Sequence, residues 1–400
     1  MIAISILLLI LLVFYYPKLN KLYKVLHLFD KEKIVYNFTH FNTITSTSEV
    51  QKASTPYRFS KGDSFELPKE FRNGGQVFNT EAFIDSSQTM GFLVLQNDTL
   101  RYENYYKGHT ESTRHISWSV AKSFVSALMG IAIEEGHIKS IEQKTEEYLP
   151  EVIGSGYEGV RIKDLLQMSS GVAFNEDYGD FNSDINRWGR SFALGGSQDE
   201  FVTTLVNEKP PGTFNHYVSI NTHVLGMIIV RSTGKSLTEY MQEKLWNKIG
   251  AEHNAYWIVD DAGMEMALGG LNITLRDYAK MGQLFLRKGN WNGTQIIPEK
   301  WIKESTTPMD IHVMPGDNPN SSHSPFGYGY QWWIPEGNEG EFLARGVYNQ
   351  YIYINPTTET VIVKNSANYN FNDANDPHSD GMAHVEMFRA IARKLVEEGE

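Results

Sequence analysis

The segment from Ser119 to Glu135 constrains this 400-residue chain more than any other, because it is small or apolar at nearly every position: Val120, Ala121, Phe124, Val125, Ala127, Leu128, Met129, Ile131, Ala132 and Ile133. A helix that is apolar on almost every side must be surrounded by other elements, so it belongs at the centre of a domain. Its one basic residue is Lys122. An ammonium buried there without partners is costly and is pushed toward its neutral form. The bland alternative is a lysine that snorkels from the helix end or closes a salt bridge. Ser119 precedes Lys122 by three residues, so hydroxyl and amine share a helix face. If Ser119 also lies at the helix N-terminus, free backbone N–H groups and the positive dipole end surround the point where an attacked carbonyl would gain negative charge. That geometry suits acyl transfer.

The S-x-x-K pattern alone is weak, since a second copy, Ser232-Thr-Gly-Lys235, occurs in the same chain. There Gly234 reads as a residue just past a helix end, and Ser236-Leu-Thr-Glu239 reads as the capping box of the next helix. The second copy is therefore punctuation between helices.

With 41% hydrophobic residues the chain can bury a large core. A net charge of −12 with no basic stripe argues against nucleic acid as a partner. The absence of cysteine excludes disulfides, thiolate catalysis and thiolate metal sites. His109, His115, His216 and His223 show no metal-ligand spacing, so no metal and no cofactor are expected. Asp373, Asp376, His378 and Asp380 read as a solvated, turn-rich loop.

Residues 2–16 are apolar apart from Ser5 and are followed by Pro17 and the cluster Lys18, Lys21, Lys24. Without a basic leader or a small-residue cleavage site, residues 1–17 read as an uncleaved membrane anchor. The lysines favour a cytoplasmic side for the remainder of the chain. Sequons at Asn37, Asn97, Asn272 and Asn292 bear on location only in a eukaryotic secretory route. Residues 18–75 are polar and read as a linker or wrapping segment, and 76–400 as the main domain.

Within that domain, Gly91–Gln96 and Thr99–Tyr106 predict a hairpin about Asn97-Asp98. Helices are expected from Ser119 to Glu135, around Ile162–Met168, and over Thr222–Ser232, Ser236–Ile249 and Thr274–Lys288, with a short one after Pro298. Strand-like runs return at Gly329–Ile334, Phe342–Val347, Gln350–Ile354 and Thr360–Lys364, and Met382–Glu397 closes the chain as an amphipathic helix. The pattern predicts an α+β fold, an α/β sandwich whose antiparallel sheet is assembled from N- and C-terminal segments and flanked by helices, with a mainly helical insertion at about 120–310 and a cleft where the parts meet.

A lysine acts as a base only if its surroundings hold it neutral, so a second proton-handling group is expected beside the serine. Tyr217 is the candidate, because Pro210-Pro-Gly-Thr-Phe-Asn-His-Tyr delivers it from a tight turn directly into a helix.

Together, Ser119-Val-Ala-Lys122, Lys163-Asp-Leu-Leu-Gln-Met-Ser-Ser-Gly, Pro211-Gly-Thr-Phe, Tyr217-Val-Ser219 and Val224-Leu-Gly resemble the serine β-lactamase and penicillin-binding-protein superfamily. Gly269-Gly-Leu-Asn-Ile-Thr-Leu-Arg-Asp-Tyr-Ala and Tyr328-Gly-Tyr-Gln-Trp-Trp place the resemblance nearest the branch of 6-aminohexanoate-dimer hydrolases and related esterases. It spans roughly residues 80 to 395.

The resemblance implies a β-lactamase/transpeptidase-like fold and an acyl-enzyme cycle on Ser119, with Lys122 and Tyr217 as general base and acid. It implies an oxyanion hole from the backbone N–H groups of Ser119 and Val347, and a pocket lined by Trp118, Tyr178, Ser219, Ala344 and Gly346. The family often works outside the cytoplasm, so a membrane-anchored, extracytoplasmic or periplasmic enzyme is expected, its orientation left open by the lysines.

Where relatives carry Tyr-x-Asn or Ser-x-Asn this chain has Tyr217-Val-Ser219, and where they carry a basic triplet such as Lys-Thr-Gly it has Ala344-Arg345-Gly346. The cation that would meet a substrate carboxylate is missing at Ala344, and Arg345 points to the other strand face. Small esters or linear amides are therefore the expected substrates. A cell-wall DD-peptidase or β-lactamase is the enzymatic alternative, and a membrane-tethered binding module without activity the non-enzymatic one.

Overall fold

A computed structural model describes residues 16, 19–322 and 325–398. At its centre is an eight-stranded sheet built from both ends of the chain. The strands are β1 (Ser60–Lys61), β2 (Thr89–Gln96), β3 (Thr99–Tyr105), β4 (Gly327–Tyr328), β5 (Trp333–Ile334), β6 (Phe342–Gly346), β7 (Gln350–Asn355) and β8 (Thr360–Ser366), in the spatial order β4-β5-β6-β7-β8-β2-β3-β1. All pairings are antiparallel except that of β1 with β3 at the edge. The expected β2–β3 hairpin turns on Asn97 and Asp98, both at positive φ (50° and 62°), the backbone a two-residue hairpin needs.

Side chains alternate across the sheet because the strand period is two. Leu93, Leu95, Phe342, Ala344, Ile352, Ile354, Val361 and Val363 join the larger apolar core. Phe92, Val94, Leu343, Tyr351, Tyr353 and Ile362 join a second core on the other face, with residues of the closing helix such as Met387, Phe388 and Ile391.

The helical part contains α1 (Ala121–Glu134), α2 (Ser219–Thr233) and α3 (Leu275–Leu286), and the chain ends on α4 (Gly381–Glu397). α1 is buried from Ala121 through Ala132, as its composition demands, and packs on α2. α3 lies against β2, β7 and β8. α2 ends at Gly234 in the left-handed conformation (φ 68°), and Ser236 caps the next helix from both sides of a capping box with Glu239. The second S-x-x-K copy is thus structural punctuation.

Several elements depart from the sequence expectation. The helix expected over Ser236–Ile249 is an α-helix only at Leu237–Met241 and continues as a π-helical turn, Gln242–Trp246. Helices at Asp184–Ala193 and Gln198–Thr203 were not foreseen. Regular structure also begins well before residue 76. Thr47–Val50 pairs with Ala255–Ile258 in a separate four-stranded sheet completed by Leu271–Ile273 and His115–Ile116. Its sequence, Thr-Ser-Glu-Val, is polar and mostly unburied, so no period-two signal marked it; the pairing comes from a partner about 200 residues away.

The membrane-anchored placement requires correction. Among the described residues no helix is long and apolar enough to cross a membrane. The anchor expected over residues 1–17 lies outside the described residues except for Tyr16. The helical stretch at 19–26 is short and carries Lys21, whose Nζ reaches Asp261 at 3.1 Å, and Lys24, whose Nζ reaches the Thr43 carbonyl at 2.5 Å.

Candidate active site

Ser119 lies in a single 3₁₀ turn, Trp118–Val120, that leads straight into α1. The turn is tied down from behind: the Ser117 N–H donates to the Leu271 carbonyl at 2.7 Å, and Trp118 holds a positive φ of 44°. A bulky residue in that region is a backbone strain that surrounding contacts must maintain. Ser119 itself is half-buried at the helix entrance.

Lys122, one turn further, is 1% exposed. Its Nζ lies 3.0 Å from Ser119 Oγ and donates to the Leu268 carbonyl at 2.6 Å. Burial drives its pKa down to about 7, partly opposed by the negative charge of Glu176. The snorkelling and salt-bridge alternatives do not describe this lysine, since it is enclosed and, among the described residues, no carboxylate pairs with it directly.

Tyr217 is the second group at the same hydroxyl, with which its phenol shares a hydrogen bond. Lys122 Nζ lies 5.3 Å from its ring centroid. The ring stacks on Trp333 (5.4 Å, 18°) and meets Tyr328 edge-on (6.1 Å). The chain before it is fixed by the Gln167-Met-Ser-Ser motif: Asn215 Nδ2 donates to the Gln167 carbonyl at 2.8 Å, and the His216 N–H donates to that of Met168 at 2.8 Å. Burial, reinforced by Glu176, pushes the phenol far above its ordinary pKa. It is therefore protonated at neutral pH and not a standing phenolate.

β6 runs past the serine turn. Gly346 ends the strand, and Val347 begins the three-residue turn into β7, where Tyr348 and Asn349 both have positive φ (62° and 68°). Gln350 Nε2 donates to the carbonyls of Val347 (3.3 Å), Tyr348 (3.1 Å) and Ser366 (2.6 Å), which fixes the turn. Ala344 is placed differently from the pocket position expected of it: it is 1% exposed and packs into the larger core, opposite Ile352. Arg345, on the opposite strand face, lays its guanidinium against Phe326 and Trp333 at 5.5 and 5.6 Å.

Ser219 and Tyr178 converge on a residue that the sequence pattern did not single out. Glu176 Oε1 accepts from Ser219 Oγ at 2.5 Å and from the Tyr178 hydroxyl at 2.8 Å, while Oε2 accepts from the Ser219 N–H at 3.1 Å. In sequence Glu176 sits in Asn175-Glu-Asp-Tyr-Gly-Asp and looks like any solvated loop carboxylate; its proximity to Tyr178 was the only hint.

Trp118 is half-buried in an aromatic cluster with Phe29, Phe38, Phe41 and Tyr348, at centroid distances of 5.9, 5.4, 5.6 and 5.8 Å. The cluster continues through Phe371 to Tyr178. Among the described residues, no group of three or more His, Asp or Glu side chains is arranged to hold a metal ion. His115 is buried against Met90, and His223 Nε2 pairs with Asp199 at 2.8 Å.

Residues 81–384 match the Beta-lactamase family model. The 6-aminohexanoate-dimer hydrolase of Paenarthrobacter ureafaciens is 32% identical over 294 residues, covering 72% of this chain and 74% of its own. A Bacillus anthracis structure described as a candidate 6-aminohexanoate-dimer hydrolase superposes with a TM-score of 0.82 at 28% identity, covering 92% of this chain and 96% of that one. A family VIII carboxylesterase shares the fold at a TM-score of 0.58 and 17% identity, over 78% of this chain and 95% of that one. The ordered motifs, the two-sided sheet and these matches agree, and the chain belongs to the beta-lactamase family as a serine hydrolase of that fold.

Proposed function

We propose that the protein cleaves small esters or linear amides through an acyl-enzyme on Ser119. The observation that carries this reading is the amine of Lys122, 1% exposed and 3.0 Å from the Ser119 hydroxyl, with a pKa lowered to about 7. At that value a large fraction of the amine is neutral near pH 7 and can accept the hydroxyl proton as Oγ attacks the carbonyl. Tyr217, protonated and hydrogen-bonded to the same oxygen, passes a proton to the leaving group. The N–H groups of Ser119 and Val347 would receive the oxyanion, each such donor contributing about 3 kcal/mol in related sites. Water attacks the acyl-enzyme with the proton transfers reversed, and Ser119 is regenerated.

The substrate class follows from charge. With Ala344 buried in the core, the strand offers no cation at the position that meets a substrate carboxylate in penicillin-recognising relatives, and the nearby carboxylate of Glu176 disfavours an anionic ligand. Neutral acyl donors fit better than penicillins or D-alanyl peptides.

A fluorophosphonate probe, with the labelled peptide mapped, tests the assignment directly. Labelling on Ser119, lost together with p-nitrophenyl ester turnover in a folded Ser119→Ala variant, is the expected result. An adduct on any other residue defeats it, and stoichiometric acylation by a labelled penicillin would return the substrate class to β-lactams.

A further inference from the structure

We infer that Glu176 is the positioning residue of the proton relay: it clamps the Tyr217-Val218-Ser219 segment at the entrance of α2, and its carboxylate acts electrostatically on the amine of Lys122. The inference rests on the acyl-enzyme mechanism proposed for Ser119.

The geometry is a three-point clamp. α2 has no cap from its own N-cap residue, Val218. Glu176 supplies that cap from another segment, 43 residues earlier in the chain, by accepting the Ser219 N–H at 3.1 Å. A carboxylate at a helix N-terminus is favoured by the helix dipole as well as by the hydrogen bond. The Ser219 hydroxyl, 1% exposed, closes the second contact at 2.5 Å, and the Tyr178 hydroxyl the third at 2.8 Å. Ser219 lies two residues after Tyr217, so the clamp fixes the backbone that aims the phenol at Ser119.

The charge acts on both proton carriers. A nearby anion favours an ammonium and disfavours a phenolate, so Glu176 raises the pKa of Lys122 against the larger effect of burial and raises that of Tyr217. The other groups facing this region do not offset it. Tyr157, Tyr178 and Tyr328 are phenols held neutral by burial, and Arg345 acts on Tyr217 in the opposite sense from across Trp333. Removing the charge lowers the Lys122 pKa, so the neutral amine persists to lower pH.

The test is the pH dependence of kcat/KM for p-nitrophenyl ester hydrolysis by the full chain. In Glu176→Gln the acid limb is expected to move down by about one pH unit, with kcat at the plateau reduced about tenfold as Tyr217 loses its alignment. Glu176→Asp keeps the charge on a shorter arm: its acid limb should stay near the wild-type position while kcat falls. A purely structural role would lower both rates and leave both limbs in place. An unmoved limb in Glu176→Gln, or an equal shift in Glu176→Asp, overturns the inference. If Glu176→Gln does not fold, Glu176→Ala, which also removes the charge, takes its place: a limb lowered by about one pH unit supports the inference, and an unmoved limb overturns it. Failure of the acyl-enzyme mechanism is separate, because it appears as absence of a fluorophosphonate adduct on Ser119 in the wild-type protein.

Discussion

A β-carbon placed on Gly346 would come 2.8 Å from the Ser117 carbonyl oxygen and 3.2 Å from the Ser119 backbone nitrogen. At Gly346 the strand therefore approaches the serine turn backbone to backbone, and only a glycine allows that approach. Gly346→Ala should force the end of β6 away from the turn at a cost of about 1–3 kcal/mol. Because Val347 is carried on the same strand end, the proposed oxyanion donors would separate. We expect kcat for ester hydrolysis to fall at least tenfold, with a smaller change in KM, and the melting temperature to drop by several degrees. Unchanged kcat in a destabilised variant would dissociate Val347 from catalysis.

Lys122 links activity to pH in a defined direction. In the proposed mechanism its neutral form is the base, so kcat/KM should rise as pH increases through about 7 and remain level beyond it. Stability should follow a related course. The folded-state pKa lies below the ordinary 10.5, so between about 7 and 10.5 the unfolded chain binds the extra proton. Stability is then fully present above the upper value and is lost as pH falls toward the lower one. Lys122→Met should abolish turnover and flatten the dependence of melting temperature on pH between 7 and 9. A variant with the wild-type slope would show that the amine does not carry this linkage.

The site was legible in sequence where it is local or where turn chemistry marks it. Ser119 and Lys122 share one helix turn within an apolar segment, and Tyr217 comes after a proline-glycine turn and leads into α2, so spacing together with local context brought them forward. What escaped are side chains whose meaning comes from distant partners. Gln331 is the clearest example: its Nε2 donates to the carbonyls of Leu165 (3.1 Å) and Leu166 (2.9 Å), and its Oε1 accepts from Thr222 Oγ1 at 2.7 Å. Its backbone oxygen accepts from Ser123 Oγ at 2.7 Å. One buried amide thus joins α1, α2 and the Ile162–Leu166 helix to the start of β5, yet in Tyr328-Gly-Tyr-Gln-Trp-Trp it reads as the polar residue of an apolar run. Glu176 escaped for the same reason, since hydrophobic periodicity carries no information about which carboxylate a fold will enclose.

Lys364, on β8, is wholly buried and its Nζ donates to Ser366 Oγ at 2.5 Å. Burial drives its pKa well below 10.5, and it lies within electrostatic reach of two buried histidines, His115 and His384, whose pKa values are also lowered. Each of these groups is stable in the fold only when neutral, so each removes stability as pH falls below its unfolded value. Replacing the amine with a chain of similar shape removes that burden. Lys364→Met should raise stability at pH 7 by about 1–3 kcal/mol, measured by urea denaturation, with ester turnover retained. Destabilisation would mean that the hydrogen bond to Ser366 outweighs the desolvation of the amine.

The segment expected to be a linker or wrapping segment packs against the turn that carries Ser119. Phe38 is 0% exposed, and its ring sits 5.4 Å from Trp118 and 4.9 Å from Tyr348, both in edge-on contact. Its carbonyl accepts the Ile116 N–H at 3.0 Å, in the His115–Ile116 strand that leads into the serine turn. Trp118 holds its positive φ only while such contacts resist relaxation, so the effect of Phe38 extends beyond its own burial. Phe38→Ala should cost about 3–5 kcal/mol as a buried aromatic is removed. If the aromatic cluster maintains the turn, fluorophosphonate labelling of Ser119 should also slow at temperatures where the variant remains folded. Labelling at the wild-type rate under those conditions would confine Phe38 to stability and show that the strain at Trp118 is held from the β6 and Leu271 sides alone.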